Sequence, residues 1–335
     1  MMTATSDDLD FLRRSLARFR DRIAGKRIFV SGGTGFFGKW LLTAFLAAGF
    51  DARLTVLSRD PERFLRANPR FRVPGRLDFV TGEIRDFRFP AGEFDLAIHA
   101  ATPASARMIA EEPEEMYDLI VSGTGRFLDF AERAGVRRLL FVSSGAVYGT
   151  QPPEVKRIPE EFPCAPVNAY GRGKLAAEQL CAASPVPTLT ARCFAFLGPG
   201  LPLDLHFAAG NFLRDALVGG PIRITGDGRP LRTYLYAADL ALWLWTILLD
   251  GRPGVICNVG SPESVSIAEL ARLTAGCFDP VPAVEVLGVP DPAVPPPRYV
   301  PDTARAKAEL GLVSHFPLRE AIARTVHALL QQPSG

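Results

Sequence analysis

Residues Arg27 to Gly38 read RIFVSGGTGFFG, an apolar run that ends in four glycines within seven residues. The glycines satisfy G-x-x-G-x-x-G at Gly32, Gly35 and Gly38, and G-x-G-x-x-G counted from Gly33. Such spacing suits a tight turn after a strand. It lets the backbone approach a pyrophosphate, whose charge is met by free N–H groups at the start of the next helix. Phe37, Leu41 and Phe45 then recur on one helical face. A glycine fingerprint between a strand and a helix is the context that supports a dinucleotide-binding turn, with Phe36 and Phe37 beside the cofactor.

Around this turn the same alternation repeats. Leu54 to Leu57, Leu77 to Thr81, Leu96 to His99, Leu139 to Ser143 and Thr188 to Cys193 are short, mainly apolar runs. That is the pattern of parallel strands covered on both faces. Helical patterns at about 37 to 48, 114 to 134 and 170 to 182 supply the crossovers. The expected fold is therefore α/β, a Rossmann-like doubly wound parallel sheet. After Gly198, residues 199 to 232 and 260 to 300 are richer in Pro and Gly, whereas 237 to 258 reads as a helix and strand returning to the sheet. The expected division is a leading helix over 1 to 25 and a dinucleotide-binding domain over 26 to 198 plus 237 to 258. A smaller interwoven C-terminal substrate lobe takes 199 to 236 plus 259 to 335. Leu9 to Ile23 carries its apolar residues at 9, 12, 16, 19 and 23, a helical stripe. The proline cluster at 290 to 297 reads as a stiff loop across the cleft mouth.

Composition narrows the function. The 335 residues carry 38 basic and 36 acidic side chains, so no broad basic field is available to hold nucleic acid or an anionic membrane. The N-terminus has no uninterrupted apolar core of a signal peptide, and the apolar stretch Leu240 to Leu249 is well short of the ~20 residues that span a bilayer. Five cysteines without a CxxC pair, and four histidines without ligand spacing, predict reduced thiols, a cytoplasmic protein and no metal.

A dinucleotide's ribose is read about 20 residues after the fingerprint, by an acid for NAD or a basic residue for a 2′-phosphate. Ser58 and Arg59 occupy that place. Serine leaves room and Arg59 offers a charged planar fork, so NADP(H) is favoured and NAD(H) remains an alternative, with Asp60 able to reach a ribose hydroxyl.

Tyr170 and Lys174 lie four apart at the start of a helix and project from one face. An ammonium beside a phenol lowers its pKa, so Tyr170 could exchange a proton with an alcohol or ketone while a hydride moves to or from nicotinamide. Upstream, FVSSGAVYG (Phe141 to Gly149) ends a strand with hydroxyls on the edge where ligands bind in such sheets.

Taken together, GGTGFFG, Gly82-Glu83-Ile84-Arg85-Asp86, His99-Ala100-Ala101, SSGAVYG, Y-x-x-x-K and Gly226-Asp227-Gly228 leading to Arg232-Thr233-Tyr234 resemble the extended short-chain dehydrogenases. The likeness is to their sugar-nucleotide epimerase/dehydratase family, over about 26 to 330. The resemblance implies Ser144 as catalytic serine, Tyr170 as acid/base, and Lys174 as both tuner of Tyr170 and ligand of the nicotinamide ribose. It places Glu83 and Ile84 at the adenine, with Glu83 replacing the usual Asp, and Ala100 and Ala101 along the cofactor. The substrate side would take Thr102, Ala195, Asn211 and Phe212, with Arg232 and Arg298 clamping a diphosphate. An arginine pair suits a buried diphosphate, which needs compensating charge. His206 is a further candidate proton donor, although a lone histidine is more often a packed or surface residue. The resemblance also implies a nucleotide-diphosphate sugar as substrate and a homodimer built on helices 114 to 134 and 170 to 182.

Two departures bear on the reaction. Gly145-Ala146 stands where members that eliminate water across carbons 5 and 6 carry Asp-Glu, which disfavours a 4,6-dehydratase. Ala195 stands where epimerases often have Asn. An epimerase-like cycle, an NADPH-dependent keto-sugar reductase and a non-catalytic NADP-sensing protein remain open, with the intact Ser144, Tyr170, Lys174 set arguing against the last.

Overall fold

The computed structural model describes residues 4–102, 106–203 and 207–331. Its centre is a seven-stranded, all-parallel sheet. Six strands come in chain order: β1 (Arg27–Ser31), β2 (Arg53–Ser58), β3 (Leu77–Thr81), β4 (Leu96–His99), β5 (Arg138–Ser144) and β6 (Thr188–Cys193). The seventh is Ile256–Val259, and the spatial order is Ile256–Val259, β6, β5, β4, β1, β2, β3. The order reverses between β1 and β4, and a doubly wound sheet opens a crevice beyond the carboxyl ends of its strands at such a reversal. The glycine turn after β1 and Ala100–Thr102 after β4 therefore share one cleft.

Alternation along β1 shows why these strands are apolar on both sides. Ile28 and Val30 enter one core with Trp40, Phe45 and Trp245, whereas Phe29 enters the other with Phe87, Phe94, Phe127 and Phe130. Successive strand side chains point to opposite faces, and both faces here are roofed by helices. The helix Ala237–Asp250 is buried from Ala237 to Leu249. Its tryptophans meet their polar needs internally: Trp245 Nε1 donates to Leu41 O at 3.2 Å and Trp243 Nε1 to Val313 O at 3.3 Å.

The leading segment departs from a simple amphipathic helix. It forms a helix Ser6–Leu16, a 3-10 turn Ala17–Phe19 and a short helix Arg20–Ile23, and buries Leu12, Leu16, Phe19 and Ile23 while Leu9 faces solvent. Asp8 is fully buried. It closes a capping box with Thr5, accepts from Tyr236 Oη at 3.0 Å and pairs with Arg324 at 3.0 Å. These bonds satisfy a carboxylate that burial would otherwise penalise, and tie the first helix to the last.

Short strands follow β6. Leu231–Thr233 lies between Ser264–Ser266 and Arg298–Tyr299, and Ile222–Ile224 pairs with Val284–Val286. The proline-rich loop leans on this region through a hydrogen bond of 2.9 Å from Arg229 Nη2 to Asp291 O. Among the described residues no helix is long and apolar enough to cross a membrane.

Candidate active site

The glycines divide by what surrounds them. Gly32 has φ +74°, and a Cβ there would stand 2.4 Å from the backbone C and O of Ala100. A Cβ on Gly38 would stand 2.3 Å from Gly32 O. Both positions are closed by the protein's own backbone. Gly35 differs: a Cβ would meet only Gly32 O, at 3.6 Å. Gly35 is the N-cap of the helix Phe36–Ala47, which has no side-chain cap and no acidic residue in its first turn. Free N–H groups and the positive end of a helix thus face open space beside a backbone without a side chain, a combination that fits a pyrophosphate.

The two serines ending β5 go to opposite sides, as strand alternation requires. Ser143 Oγ donates to Glu178, whose carboxylate is held by Arg192 Nη2 at 2.7 Å in a buried pair. Ser144 Oγ goes to the other side and accepts from Ala146 N at 3.2 Å, and the start of the helix that carries Tyr170 packs on the turn after it, where a Cβ on Gly171 would stand 2.7 Å from Ala146 O. Tyr170 and Lys174 stand on the first turns of the helix Ala169–Ala183, capped by Asn168 through its bond to Gly171 N at 2.8 Å. Ser144, Tyr170 and Lys174 are therefore brought together. Lys174 Nζ donates to Val142 O and Thr102 Oγ1, each at 2.7 Å.

The electrostatics correct one expectation. The Tyr170 phenol is not lowered by Lys174; burial pushes it up to about 12, and the Ser144 hydrogen bond acts in the opposite sense. The reason lies in where the ammonium goes. Nζ is committed to Val142 and Thr102 and stands 6.0 Å from the Tyr170 ring centroid. Burial also lowers Lys174, to about 8.

Beyond this centre lies a cavity of about 600 Å³, whose walls include Asn211, Phe212, Arg214, Arg223 and Arg232. Arg232, on the cavity wall, is in strand register with Tyr299, whose hydroxyl lies beside Gly145, the residue after Ser144.

Comparison with known proteins then identifies the chain. The model of the NAD dependent epimerase/dehydratase family matches residues 28–260. The chain belongs to that family of enzymes. A UDP-glucose 4-epimerase of Streptomyces lividans is 30% identical over 320 residues, covering 86% of this chain and 89% of the relative. UDP-glucuronic acid decarboxylase 1 of Xenopus tropicalis is 28% identical over 316 residues, covering 90% and 72%. Among solved structures, a UDP-glucuronic acid 4-epimerase from Bacillus cereus, bound to a UDP-sugar analogue and NAD, superposes with a TM-score of 0.80. It is 20% identical, over 91% of this chain and 99% of the other.

Within this family frame, the other assigned residues make the following contacts. Thr102, assigned to substrate, spends its hydroxyl on Lys174 and on Ala101 O at 2.8 Å. Glu83, assigned to adenine, is folded onto Arg85, accepting from its backbone N at 3.0 Å and its Nε at 3.2 Å. Ile84 is buried against Gly123. Arg298 is not among the cavity walls, and its strand pairs it with Leu231. Ala195 lends its carbonyl to Leu235 N at 3.0 Å. Ser58 is buried at the end of β2 while Arg59 is exposed, and Asp60 caps the next helix by accepting from Arg63 N at 2.9 Å. His206 lies outside the described residues.

His99 has a structural role. Its Nδ1 meets Ser31 Oγ at 2.6 Å, its Nε2 meets Thr124 Oγ1 at 3.0 Å, and Ser31 Oγ accepts from Ala101 N at 3.3 Å. Because Thr124 Oγ1 already donates to Ile120 O at 2.7 Å, it accepts from Nε2, leaving Nδ1 to accept from Ser31. This relay holds Ala101 beside the glycine turn only while the ring is neutral. Burial, aided by the Lys174 charge, lowers His99 to about 3. The unfolded chain therefore binds the proton first on acidification, and stability falls below the ordinary histidine pKa. A loss of about 2 kcal/mol between pH 7 and pH 5 is expected from this group. Urea unfolding at the two pH values checks it. His99→Asn should show a smaller loss, and equal losses in both proteins would contradict the assignment.

Proposed function

We propose that this enzyme oxidises a hydroxyl-bearing carbon of a nucleotide-diphosphate sugar and re-reduces it within the same site, an epimerase-like cycle. The observation that carries the reading is the gathering of Ser144, Tyr170 and Lys174 at the carboxyl edge of the sheet, where Lys174 is bonded to Thr102 and the glycine turn lies against Ala100. When bound, the nicotinamide supplies the hydride acceptor and donor. Ser144 hydrogen-bonds the reacting sugar oxygen, Tyr170 takes its proton and later returns it, and Lys174 holds the cofactor's ribose. Arg232, Arg214 and Arg223 offset the diphosphate charge.

Elimination of water fits less well. A side chain at Gly145 would meet Tyr299 Oη at 2.6 Å and Phe194 Cζ at 2.8 Å, so this arrangement crowds the first of the two positions where an Asp-Glu pair would stand. Incubation with UDP-glucose and with UDP-glucuronic acid, followed by mass spectrometry and NMR, tests the reading. A stereoisomer of unchanged mass is expected. Loss of carbon dioxide or of water, or no reaction with either sugar, would overturn it.

For the cofactor, the exposed Arg59 and the helix-capping Asp60 leave no acid dedicated to repelling a 2′-phosphate. The proposal is that the site takes NADP(H) as well as NAD(H), with Arg59 gripping the phosphate. Arg59→Ala should weaken NADPH about tenfold or more, as loss of a charge-assisted bond implies, and NADH about twofold at most. Isothermal titration distinguishes them, and equal losses would assign Arg59 no part in reading the phosphate.

A further inference from the structure

Two neutral oxygens hold the ammonium of Lys174, and they come from neighbouring strands. Nζ donates to Val142 O in β5 and to Thr102 Oγ1, just beyond the end of β4, each at 2.7 Å. β4 and β5 pair in parallel with His99 opposite Phe141, so both acceptors stand at the carboxyl edge of the sheet. The lysine is buried, and Glu178, one turn along its helix, is taken by Arg192 at 2.7 Å. A buried charge held by neutral groups depends on each hydrogen bond it is given.

Hydrogen-bond counting fixes the direction of the contact. An ammonium has three donors and no acceptor, so Thr102 Oγ1 accepts from Nζ. The threonine proton goes to Ala101 O at 2.8 Å. Ala101 is itself pinned by its N–H to Ser31 Oγ at 3.3 Å, and Ala100 lies against Gly32 of the dinucleotide turn. The hydroxyl is therefore engaged on both sides, on a loop shared with the glycine turn. Two of the three Nζ donors are spent on protein oxygens, and one remains for a ligand.

We infer that Thr102 is a positioning residue: its hydroxyl holds the Lys174 ammonium so that the remaining N–H meets the ribose of the dinucleotide. This rests on the proposed role of Lys174 as ribose ligand. Thr102 then acts on the cofactor through Lys174, and not on the sugar nucleotide to which the family likeness assigned it. Without the hydroxyl, the amine keeps Val142 alone and is free to turn about that bond. The other groups around it hold one state near neutral pH. Burial keeps Cys181 and Cys193 as thiols and His99 as the neutral ring, and Glu178 stays bound to Arg192.

The test uses the full chain with lysines labelled by ¹³C at Cε, a resonance that follows the charge on Nζ. The chain has five lysines, and Lys174→Met assigns the one of interest. Thr102→Val removes the oxygen and keeps the shape, Thr102→Ala removes it with less bulk, and Thr102→Ser keeps it. In the valine and alanine variants Lys174, lowered by burial to about 8, should titrate about one pH unit lower. NAD should bind them about tenfold more weakly at pH 8, as loss of a charge-assisted bond implies. The serine variant should stay within about twofold of the parent in NAD affinity. Unchanged NAD affinity, or unchanged Lys174 titration, in the oxygen-free variants would overturn the inference. So would an equal loss in Thr102→Ser, or a rise in KM for the nucleotide sugar with NAD affinity unchanged. Failure of the underlying reading shows separately, because Lys174→Met would then bind NAD as the parent does. A weakened Lys174→Met beside unaffected Thr102 variants removes the positioning role alone.

Discussion

Replacing Tyr170 by phenylalanine is expected to lower turnover by about 10²–10⁴-fold, the usual worth of a positioned acid/base group. Only one oxygen is removed. The ring continues to pack at the edge of the core that holds Phe141 and Ala177, and the Asn168 cap of its helix is untouched. Binding of the dinucleotide should stay within about twofold, because the glycine turn and Lys174 are unchanged. Steady-state turnover and a dinucleotide titration on the same preparation separate the two quantities. Undiminished turnover would remove Tyr170 from the chemistry, and a joint loss of turnover and binding would make its role structural.

The second large effect is a contrast between neighbouring glycines. Gly32→Ala places a Cβ 2.4 Å from the Ala100 backbone at a φ of +74°. Left-handed strain and overpacking against backbone together should cost about 2–5 kcal/mol of stability. Gly35→Ala meets only Gly32 O at 3.6 Å, and its φ of −77° suits any residue. The variant should stay within about 1 kcal/mol of the parent in stability, the cost of a poorer cap, yet lose dinucleotide affinity. Denaturant unfolding and titration with NAD distinguish the two. If Gly35→Ala bound NAD as the parent does, the pyrophosphate would not sit where the turn and helix place it.

The parts legible in the sequence were those written in local periodicity. Each of β1 to β6 falls on a mainly apolar run, because a strand covered on both faces buries successive side chains; β3, at the sheet edge, is less covered and exposes Asp78. The glycine turn was legible because its reason is steric and lies within seven residues. The serine and tyrosine–lysine pair were legible from short motifs and the family likeness.

What escaped was set by distant packing. Tyr299 sits in PPPRYVPD, a stretch with no helical or strand period, and its hydroxyl comes beside Gly145 only because Arg298–Tyr299 pairs with Leu231–Thr233. Asp8 precedes the apolar stripe that begins at Leu9, and its partners Tyr236 and Arg324 lie more than two hundred residues away. Arg214 and Arg223 carried no motif, and only the cavity brings them together with Arg232. The lowering of Tyr170 by Lys174 failed for the same reason. Spacing puts the two on one helix face, but Val142 and Thr102, from other elements, decide where the ammonium points.

An internal redox cycle requires the cofactor to stay on the enzyme between its two hydride steps. Denaturing the purified protein and measuring released nicotinamide dinucleotide by mass spectrometry tests this most directly. Close to one dinucleotide per chain is expected, retained equally by Tyr170→Phe. Protein that is empty as purified, and that turns over nucleotide sugars only while consuming added NADPH, would contradict the cycle.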